Sequence, residues 1–513
     1  MSEALLPDQF LYSRKGPWPQ PSPSHPMKCA DEVLNIPPME ALLFNETIGA
    51  RYLEARVGYP PVAARYASEV FEWAGPTTEH FTNLMNNTLF TRFKKPLAGE
   101  DLKSLAGALP DLPEAKMSLS DANAQLFKYD FTAMDLVKPI DGTFVAPTVV
   151  YFKKAAGGDA MVASIRINGV HFKPANPVDR AWALAMIYAL QGAAYHVLFV
   201  VHPALHFPMD SVNAITKTSV PMGHPLFQLF HPHSAYSLPL DNAVLESAES
   251  VVNNNAQGTR FDPLTADAYN LKLLFGAGYT GLKGERYTNG YPQYSYMEPQ
   301  LDFDSGYSTW LSAYFKDAFL PFCTEVAKYI IEDPRKENLM PYVEQWAKYC
   351  HTHVLGFIHP DEVKDADRLG YAMAVYTWNA SVSHGGDHWS FAQQVQPVEK
   401  CLRIRVAPPT AEDVGKPVDF AGKLFTGNDM QRAALCQYMF FQTWAIKPNL
   451  AETMYAFTNK RLQDAYDAFQ VALHAVNDRM KADASTYFQP LVPDASIGAS
   501  GTYEMTIPQS IQY

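Results

Sequence analysis

The chain has 513 residues, of which 47% are hydrophobic, 13% aromatic and 18% charged. This length and composition allow a large buried core and exclude the disordered and fibrous classes of protein. Lys and Arg total 41 and Asp and Glu total 53, so the net charge is −12, which disfavours nucleic-acid binding.

The N-terminal part divides into two predicted regions. Residues 1–38 are rich in proline and predict an extended arm that lies on the body of the protein, or a partly disordered segment. Residues 39–179 predict an N-terminal region that is mostly helical over 39–125. A β-hairpin is predicted at 143–168, because TFVAPTVVYF and MVASIRI are rich in β-branched residues and flank AAGGDA. No basic segment followed by an apolar one opens the chain, so we expect a cytoplasmic protein.

One apolar stretch, residues 181–201, is long enough to span a bilayer. It contains Gln191 and His196, is followed by His202, and lacks a belt of aromatic and basic residues at its ends. These features favour a buried helix at about 180–206, at the centre of a large soluble domain. Peripheral membrane contact is the alternative.

The rest of the chain, residues 180–513, predicts one large, mainly α domain. Residues 259–306 are rich in Gly, Tyr and Pro and predict a long surface loop. A GxGxxG pattern at 276–281 has no helix after it, so we interpret it as loop and not as a dinucleotide site. Helices are predicted at 308–332, 337–352 and 459–483. The last carries an apolar stripe formed by Leu462, Tyr466, Phe469, Leu473, Val476 and Met480.

The five cysteines form no CxxC pair, so neither a disulfide scaffold nor a thiolate zinc site is indicated. The histidines are more informative, since six of the 15 fall between His196 and His233. His202 and His206, and likewise His384 and His388, have the spacing that places two imidazoles on one helix face. A shared metal ion would provide the polar partner that buried imidazoles need, although a single HxxxH often reflects packing alone.

Two other histidine patterns are less promising. A zinc protease would need Glu after the first histidine of a pair, where this chain has Pro203 and Gly385. His351 and His353 alternate next to a polar turn, and we expect them at the surface or in packing contacts.

Several motifs, in order, resemble those of the lipoxygenase family over residues 180–513. Tyr195-His196 with His202 and His206 resembles the family's central metal helix, and the segment from His224 to His233 is similar to its HPxxxLLxPH motif. The segment from Trp378 to His388 resembles W-x5-H-x3-N/H. Residues 407–410, APPT, resemble RPPT, and the final IPQSIQY resembles IPNSISI. The first 140 residues show no comparable match, and no β-barrel lipid-binding domain is recognisable ahead of this region.

The resemblance implies a large helical catalytic domain that binds non-haem iron, with manganese as an alternative metal. The implied ligands are His202, His206, His384, His388 and the main-chain carboxylate of Tyr513. His196 is implied in a supporting position, and Val244 or Leu245 in the substrate pocket. No catalytic side chain is implied beyond a metal-bound hydroxide, which acts as base and oxidant.

The chain differs from the family pattern at several of these positions. The family spaces its first two ligands as H-x4-H, which would align the first with Val201, whereas this chain has H-x3-H. Val197 and Phe391 stand where the family often has Gln, and the last residue is Tyr in place of the usual Ile.

The implied ligand set suits removal of a hydrogen atom from a weak C–H bond. Proton and electron leave the substrate together, so the net charge of the buried site stays constant. Three functions follow as hypotheses. The first is a lipoxygenase-like dioxygenase that converts a polyunsaturated fatty acid or similar polyene and O2 to a hydroperoxide. The second is a hydroperoxide isomerase, or an oxygenase of another small molecule, on the same fold. The third is a non-catalytic, metal-stabilised binding protein.

Overall fold

The computed structural model describes most of the predicted catalytic region and part of the N-terminal region. The described residues are 14–17, 32–34, 36–49, 73–154, 160–175, 179–246, 295–299, 306–334, 336–354, 356–395, 398–400, 403–430, 432–433, 448–482 and 507–511. Most of the proline-rich arm, most of the predicted loop at 259–306 and the GxGxxG pattern at 276–281 lie outside them.

The described structure is mainly α-helical, as predicted. Its α-helices are α1 (Pro38–Phe44), α2 (Thr78–Asn87), α3 (Gly99–Ala108), α4 (Leu119–Gln125), α5 (Arg180–His196), α6 (His202–Ser219), α7 (Pro225–Ser234), α8 (Ser237–Glu246), α9 (Gly306–Tyr314), α10 (Leu320–Glu332), α11 (Lys336–His353), α12 (Ala366–Trp378), α13 (His384–Trp389) and α14 (Lys460–Ala482). Five-residue π-turns extend or join several of them, at Asn45–Gly49, Val197–Val201, Phe315–Phe319, Asn379–Ser383 and Ser390–Gln394. The helices found at 306–332, 336–353 and 460–482 confirm the three predicted in this part of the chain.

The β-structure is antiparallel and larger than the predicted hairpin. A two-stranded ribbon pairs β1 (Arg14–Pro17) with β2 (Glu32–Leu34). A five-stranded sheet has the order β3-β4-β5-β6-β7, formed by Lys94–Lys95, Leu126–Phe131, Thr148–Lys154, Ala160–Ile167 and Val170–Phe172. The hairpin of β5 and β6 lies inside the range predicted for it, with Thr148 opposite Ile167.

The predicted buried helix is α5. Asp179 begins it by accepting a hydrogen bond from the backbone N–H of Trp182 at 2.9 Å, and every residue from Ala181 to His196 is buried. Among the described residues, one helix, Arg180–Val201, is both long enough and apolar enough to cross a membrane. However, 94% of its most apolar window is buried inside the protein. This burial agrees with the predicted role at the centre of a folded domain.

The sequence predicted that the buried helix ends near residue 206. Instead, the helix continues through the π-turn Val197–Val201 and α6 to Ser219. The continuous apolar run stops at this point, but the chain stays amphipathic, and Val212 and Ile215 are buried. A helix that leaves the centre of the core needs only one apolar face. The prediction ended the helix too early because it followed the apolar run alone.

One large hydrophobic cluster includes residues from Phe81 to Ile511. It contains the apolar stripe of α14, of which Tyr466 is half-buried and the other five residues are buried. The domain boundary at 179/180 remains a prediction, since the described residues on both sides contribute to this same cluster.

Candidate metal centre

Two helices bring four histidine side chains together at the centre of the core. His202 and His206 lie one turn apart on α6, and His384 and His388 lie one turn apart on α13. His384 is fully buried, and His206 and His388 are each 7% exposed. The two HxxxH pairs that the sequence suggested as one site therefore meet in space.

The four rings present their Nε2 atoms to one another. Nε2 of His206 lies 3.0 Å from Nε2 of His202 and 3.0 Å from Nε2 of His384. Nε2 of His388 lies 3.0 Å from that of His384. Each nitrogen of a neutral imidazole offers one N–H or one in-plane lone pair, so it serves one good hydrogen bond. Since His206 and His384 each make two of these contacts, hydrogen bonds between the rings do not explain the cluster.

A shared cation would explain the cluster. Nitrogen ligands about 2.1 Å from an ion lie about 3.0 Å apart when they are at right angles, and about 3.4 Å apart in a tetrahedron. The observed 3.0 Å spacings are compatible with imidazoles that share one ion. The ligand nitrogens of His202, His384 and His388 also lie within 4.8 Å of one another. The donor set thus fits an iron or manganese ion.

The environment keeps these rings neutral, as metal ligands must be. Burial, together with the nearby His206 and His388, holds the pKa of His202 well below its ordinary value. Burial and the other three histidines do the same to the pKa of His384. Burial lowers the pKa of His206 to about 4. Each of these three rings is therefore neutral at neutral pH and keeps one nitrogen lone pair in the plane of the ring.

Local helix geometry explains the H-x3-H spacing. The π-turn Val197–Val201 comes directly before His202, and Pro203, which has no backbone N–H, falls in the first turn of α6 where a helix tolerates it. The widened turn precedes the pair, so an ordinary α-turn separates His202 from His206. Val201, the position aligned with the family's first ligand, lies in the π-turn and is 9% exposed.

Sequence analysis missed two buried carboxylates behind His206. Nδ1 of His206 lies 3.1 Å from Oδ1 and 3.4 Å from Oδ2 of Asp241, which is on α8. Asp210, one turn after His206 on α6, hydrogen-bonds to Asp241. Burial raises the pKa of Asp241 to about 7, and burial with the charge of Asp241 raises the pKa of Asp210 well above its ordinary value. The HxxxD spacing of His206 and Asp210 was a visible signal, whereas nothing in the sequence pointed to Asp241.

A buried ion pair supports α13 from the other side. Nε of Arg92 lies 3.2 Å from Oδ1 of Asp387, and the hydroxyl of Tyr307 donates to the same oxygen at 2.6 Å. Nη2 of Arg92 also donates to Oγ of Ser383 at 2.7 Å. Asp387 and Ser383 directly precede His388 and His384 in the chain, so these contacts hold the turn that carries both histidines.

The C-terminal segment reaches the same helix. A Cβ added at Gly385 would lie 2.7 Å from Cδ of Pro508, so the tail passes against α13 beside His384. The backbone N–H of Leu450 donates to the carbonyl of Ile507 at 2.7 Å, and the backbone N–H of Ile511 donates to the carbonyl of His233 at 3.0 Å. Tyr513, whose carboxylate the sequence suggested as a fifth ligand, lies two residues past Ile511 and outside the described residues. Its role as a ligand therefore stays a prediction.

The remaining predicted positions make other contacts or are not described. His196 donates from Nδ1 to the carbonyl of Gly192 at 2.7 Å and packs edge-on against Phe93 and Phe131. Burial lowers its pKa to about 3. Val244 and Leu245 fall in α8, but their side chains lie outside what the structure describes.

Of the remaining positions discussed from the sequence, Val197 and Phe391 are buried and apolar. His351 donates from Nδ1 to the carbonyl of Phe357 at 3.0 Å, in line with the expected packing role.

Solved structures of lipoxygenases share this fold. The chain is 13% identical to the delta413-417:GS LOX in complex with arachidonate, with a TM-score of 0.70, and the match covers 94% of this chain and 78% of that one. For coral 8R-lipoxygenase the identity is 14% and the TM-score 0.63, and the match covers 86% of this chain and 67% of that one. For the manganese lipoxygenase of Gaeumannomyces graminis the identity is 14% and the TM-score 0.62, and the match covers 98% of this chain and 96% of that one. At this identity the likeness concerns the fold alone, and the protein has a lipoxygenase-like fold.

Comparison at the level of sequence gives no match. No family model matches the chain, and no curated protein matches it.

Proposed function

We propose that this protein is a metal-dependent dioxygenase that removes a hydrogen atom from a polyunsaturated fatty acid or similar polyene and adds O2 to form a hydroperoxide. The observation that carries the proposal is the meeting of four largely buried imidazoles, from two helices, inside a lipoxygenase-like fold. A bound iron or manganese ion would supply the one-electron oxidation that accompanies hydrogen-atom transfer.

The residues of the chain account for the other requirements of this reaction. His202, His206, His384 and His388 hold the ion, and we assign the fifth ligand to the carboxylate of Tyr513. The π-turn Val197–Val201 places apolar, buried side chains next to His202. Apolar walls exclude water, which would otherwise compete with O2 and solvate polar groups near the reacting carbon.

Other solved structures support the choice of metal and substrate class. One LOX of the same fold binds arachidonate, and another is a manganese lipoxygenase. We therefore propose an apolar polyene as the substrate and either iron or manganese as the metal. A cytoplasmic location and peripheral membrane contact remain predictions from the sequence.

The second candidate is a reaction of hydroperoxides, or the oxygenation of a different small molecule, at the same metal. It is favoured by the buried, apolar Val197 and Phe391, which offer no side-chain hydrogen bond where the family often has Gln. A link between metal and substrate that relies on such a hydrogen bond is then missing. A changed link of this kind alters which substrate is positioned for reaction.

The deciding experiment combines elemental analysis of the untagged, full-length chain with an oxygen-electrode assay on linoleate. We expect about one iron or manganese per chain, O2 consumption and a conjugated diene that absorbs in the ultraviolet. Turnover of a fatty acid hydroperoxide without O2 uptake would select the second candidate. Stoichiometric zinc, or a folded protein that binds no metal, would contradict both and favour a binding protein.

A further inference from the structure

We propose that Asp241 is a positioning residue for His206, and that it selects the tautomer in which Nε2 is bare and faces the other three imidazoles. The inference rests on the proposed metal centre, and it assigns to the centre a residue that lies on a different helix from all four histidines.

The geometry places the Asp241 carboxylate at the back of the His206 ring. Its two oxygens lie 3.1 Å and 3.4 Å from Nδ1, while Nε2 on the opposite side of the ring makes the contacts to His202 and His384. His206 is 7% exposed and Asp241 is 4% exposed, so water does not compete for this contact. The carboxylate accepts a hydrogen bond from Nδ1–H.

Asp241 is itself held in place by a polar network among α6, α7, α8 and α12. Asp210 hydrogen-bonds to both Asp241 and Ser237. Asn213 donates from Nδ2 to Oγ of Ser237 and to the carbonyl of Ser234, both at 2.9 Å. The hydroxyl of Tyr376, on α12, donates to Oγ of Ser234 at 2.7 Å. A carboxylate fixed in this way orients the ring without having to be ordered when an ion binds.

The chemical consequence follows from the single N–H of a neutral imidazole. If Nδ1 carries that hydrogen, Nε2 has a lone pair that points into the cluster, which is the form a metal needs. Partners that hydrogen-bond to ligand histidines also raise the basicity of the ligand, and their removal typically weakens metal binding by about 10–100-fold. Asp241 should therefore contribute to affinity for the ion without touching it.

His384 provides an internal contrast. Its Nδ1 makes no hydrogen bond within the described part of the chain, although the ring is fully buried. Support from a carboxylate is thus not a general feature of the four rings. The asymmetry indicates that His206 is one of the more strongly held ligands.

The test compares Asp241→Leu and Asp241→Asn in the full-length, untagged chain. Leu removes the acceptor and keeps the branching and the number of side-chain heavy atoms, whereas Asn keeps the shape and one of the two oxygens. Affinities for Mn2+ and Co2+ are measured by equilibrium dialysis, together with the visible absorption of the Co2+ form and the midpoint of unfolding of the metal-free form.

The matched control is Asp101→Asn. Asp101 is an equally buried carboxylate, 1% exposed, that pairs with Lys128 at 2.8 Å and accepts from Tyr151 at 2.9 Å. Its neighbours Leu102 and Tyr151 belong to a hydrophobic cluster separate from the large one of the core. Any loss of metal binding in Asp101→Asn would measure the effect of general destabilisation alone.

We expect Asp241→Leu to weaken binding of both cations by about 10–100-fold and to change the Co2+ spectrum. Asp241→Asn should recover part of the affinity, and Asp101→Asn should bind as the wild type does. Unchanged affinity in Asp241→Leu, or an equal loss in Asp101→Asn, overturns the inference. If Asp241→Leu fails to fold, Asp241→Asn decides, because wild-type affinity in that variant also overturns it.

The outcomes separate this inference from the proposed function. A wild-type chain that binds neither cation overturns the metal centre itself. A wild-type chain that binds both, with Asp241→Leu unchanged, overturns only the role of Asp241.

Discussion

The side chain of His233 donates a hydrogen bond from Nδ1 to the main-chain carbonyl of Gln509, at 2.6 Å. The same histidine accepts from the hydroxyl of Tyr455 at 2.8 Å through Nε2, and its own carbonyl accepts from the backbone of Ile511 at 3.0 Å. Burial lowers its pKa to about 4, so the ring stays neutral and keeps one donor and one acceptor. Helix α7 thus holds the tail at Gln509 and Ile511.

An addition after Tyr513 converts its carboxylate to a peptide bond. Because the tail is held at Gln509 and Ile511, we expect the new terminal carboxylate to lie away from the histidines. A chain with a C-terminal tag should lose most of its bound metal. The same tag at the N-terminus should leave metal content unchanged, and elemental analysis of both proteins measures the difference. Full metal content in the C-terminally tagged protein would show that the carboxylate is not a ligand.

The contact between the tail and α13 predicts a second effect. In Gly385→Ala, the new Cβ would lie 2.7 Å from Cδ of Pro508, so the tail or the helix must move. We expect weaker metal binding and a loss of about 1–3 kcal/mol in the free energy of unfolding, the usual cost of overpacking.

Gly107→Ala is the matched control for this change. Gly107 is also inside a helix, α3, but a Cβ there would meet nothing within 4 Å. The change should raise stability by up to about 1 kcal/mol through helix propensity. If the two variants had the same stability and metal affinity, the close contact with the tail would not matter.

The histidines themselves give the most direct prediction. His206→Ala and His384→Ala should each abolish binding of iron or manganese, since each removes a ring that makes two Nε2 contacts. His224→Ala is the control, because His224 is buried but caps α7, accepting from the backbone N–H of Leu226 at 3.1 Å. It should lower stability and leave the metal bound. His353→Ala should also leave the metal bound. Elemental analysis and circular dichroism distinguish the two behaviours, and equal metal loss in all variants would indicate general unfolding.

The parts of the fold that were predictable have strong local patterns. The apolar stripe of α14 and the continuous apolar run of α5 each dictate one element from neighbouring residues alone. Strand β4, LFKYDF, was missed because Lys128 interrupts its apolar pattern. Lys128 is nevertheless only 9% exposed, since it pairs with Asp101 at 2.8 Å and with Asp130 at 3.2 Å. Those partners come from the sheet's tertiary environment, which a local pattern does not contain.

The same distinction applies to the site. The two HxxxH pairs were visible because ligands on one helix face have a fixed spacing. The roles of Asp241 and Arg92 were not visible in the sequence. Asp241 is 35 residues from its contact His206, and Arg92 is 291 residues from its contact Ser383. Such contacts are decided by how helices pack.

Arg92 provides a test of that packing. Arg92 is 4% exposed and Asp387 is fully buried, so Arg92→Gln leaves a buried carboxylate without its cation. Removing one partner of a buried ion pair costs about 3–5 kcal/mol. The control is Arg461→Gln, which breaks a 2.8 Å pair with Glu332 in which both side chains are largely exposed, and such pairs contribute about 0–1 kcal/mol. Chemical denaturation measures both losses, and a loss of similar size in the two variants would contradict a structural role for the buried pair.

A pH-dependent contact joins α2 to the segment after α13. His80 hydrogen-bonds to Glu399, which is 4% exposed. Burial alone would lower the pKa of His80, but the hydrogen bond and negative charge of Glu399 outweigh it and raise the pKa above its ordinary value near 6.5. The folded protein therefore binds more protons than the unfolded chain in the range just above that value.

The sign of the effect follows from this difference. The stabilisation is complete below a pH of about 6.5 and is lost as the pH rises through the folded-state pKa. We expect the midpoint of unfolding of the wild type to exceed that of His80→Gln most at about pH 6 and least at about pH 9. Glu399→Gln, which removes the carboxylate and keeps the histidine, should show the same reduced dependence on pH. Parallel curves for wild type and His80→Gln across this range would show that the contact contributes nothing that depends on protonation.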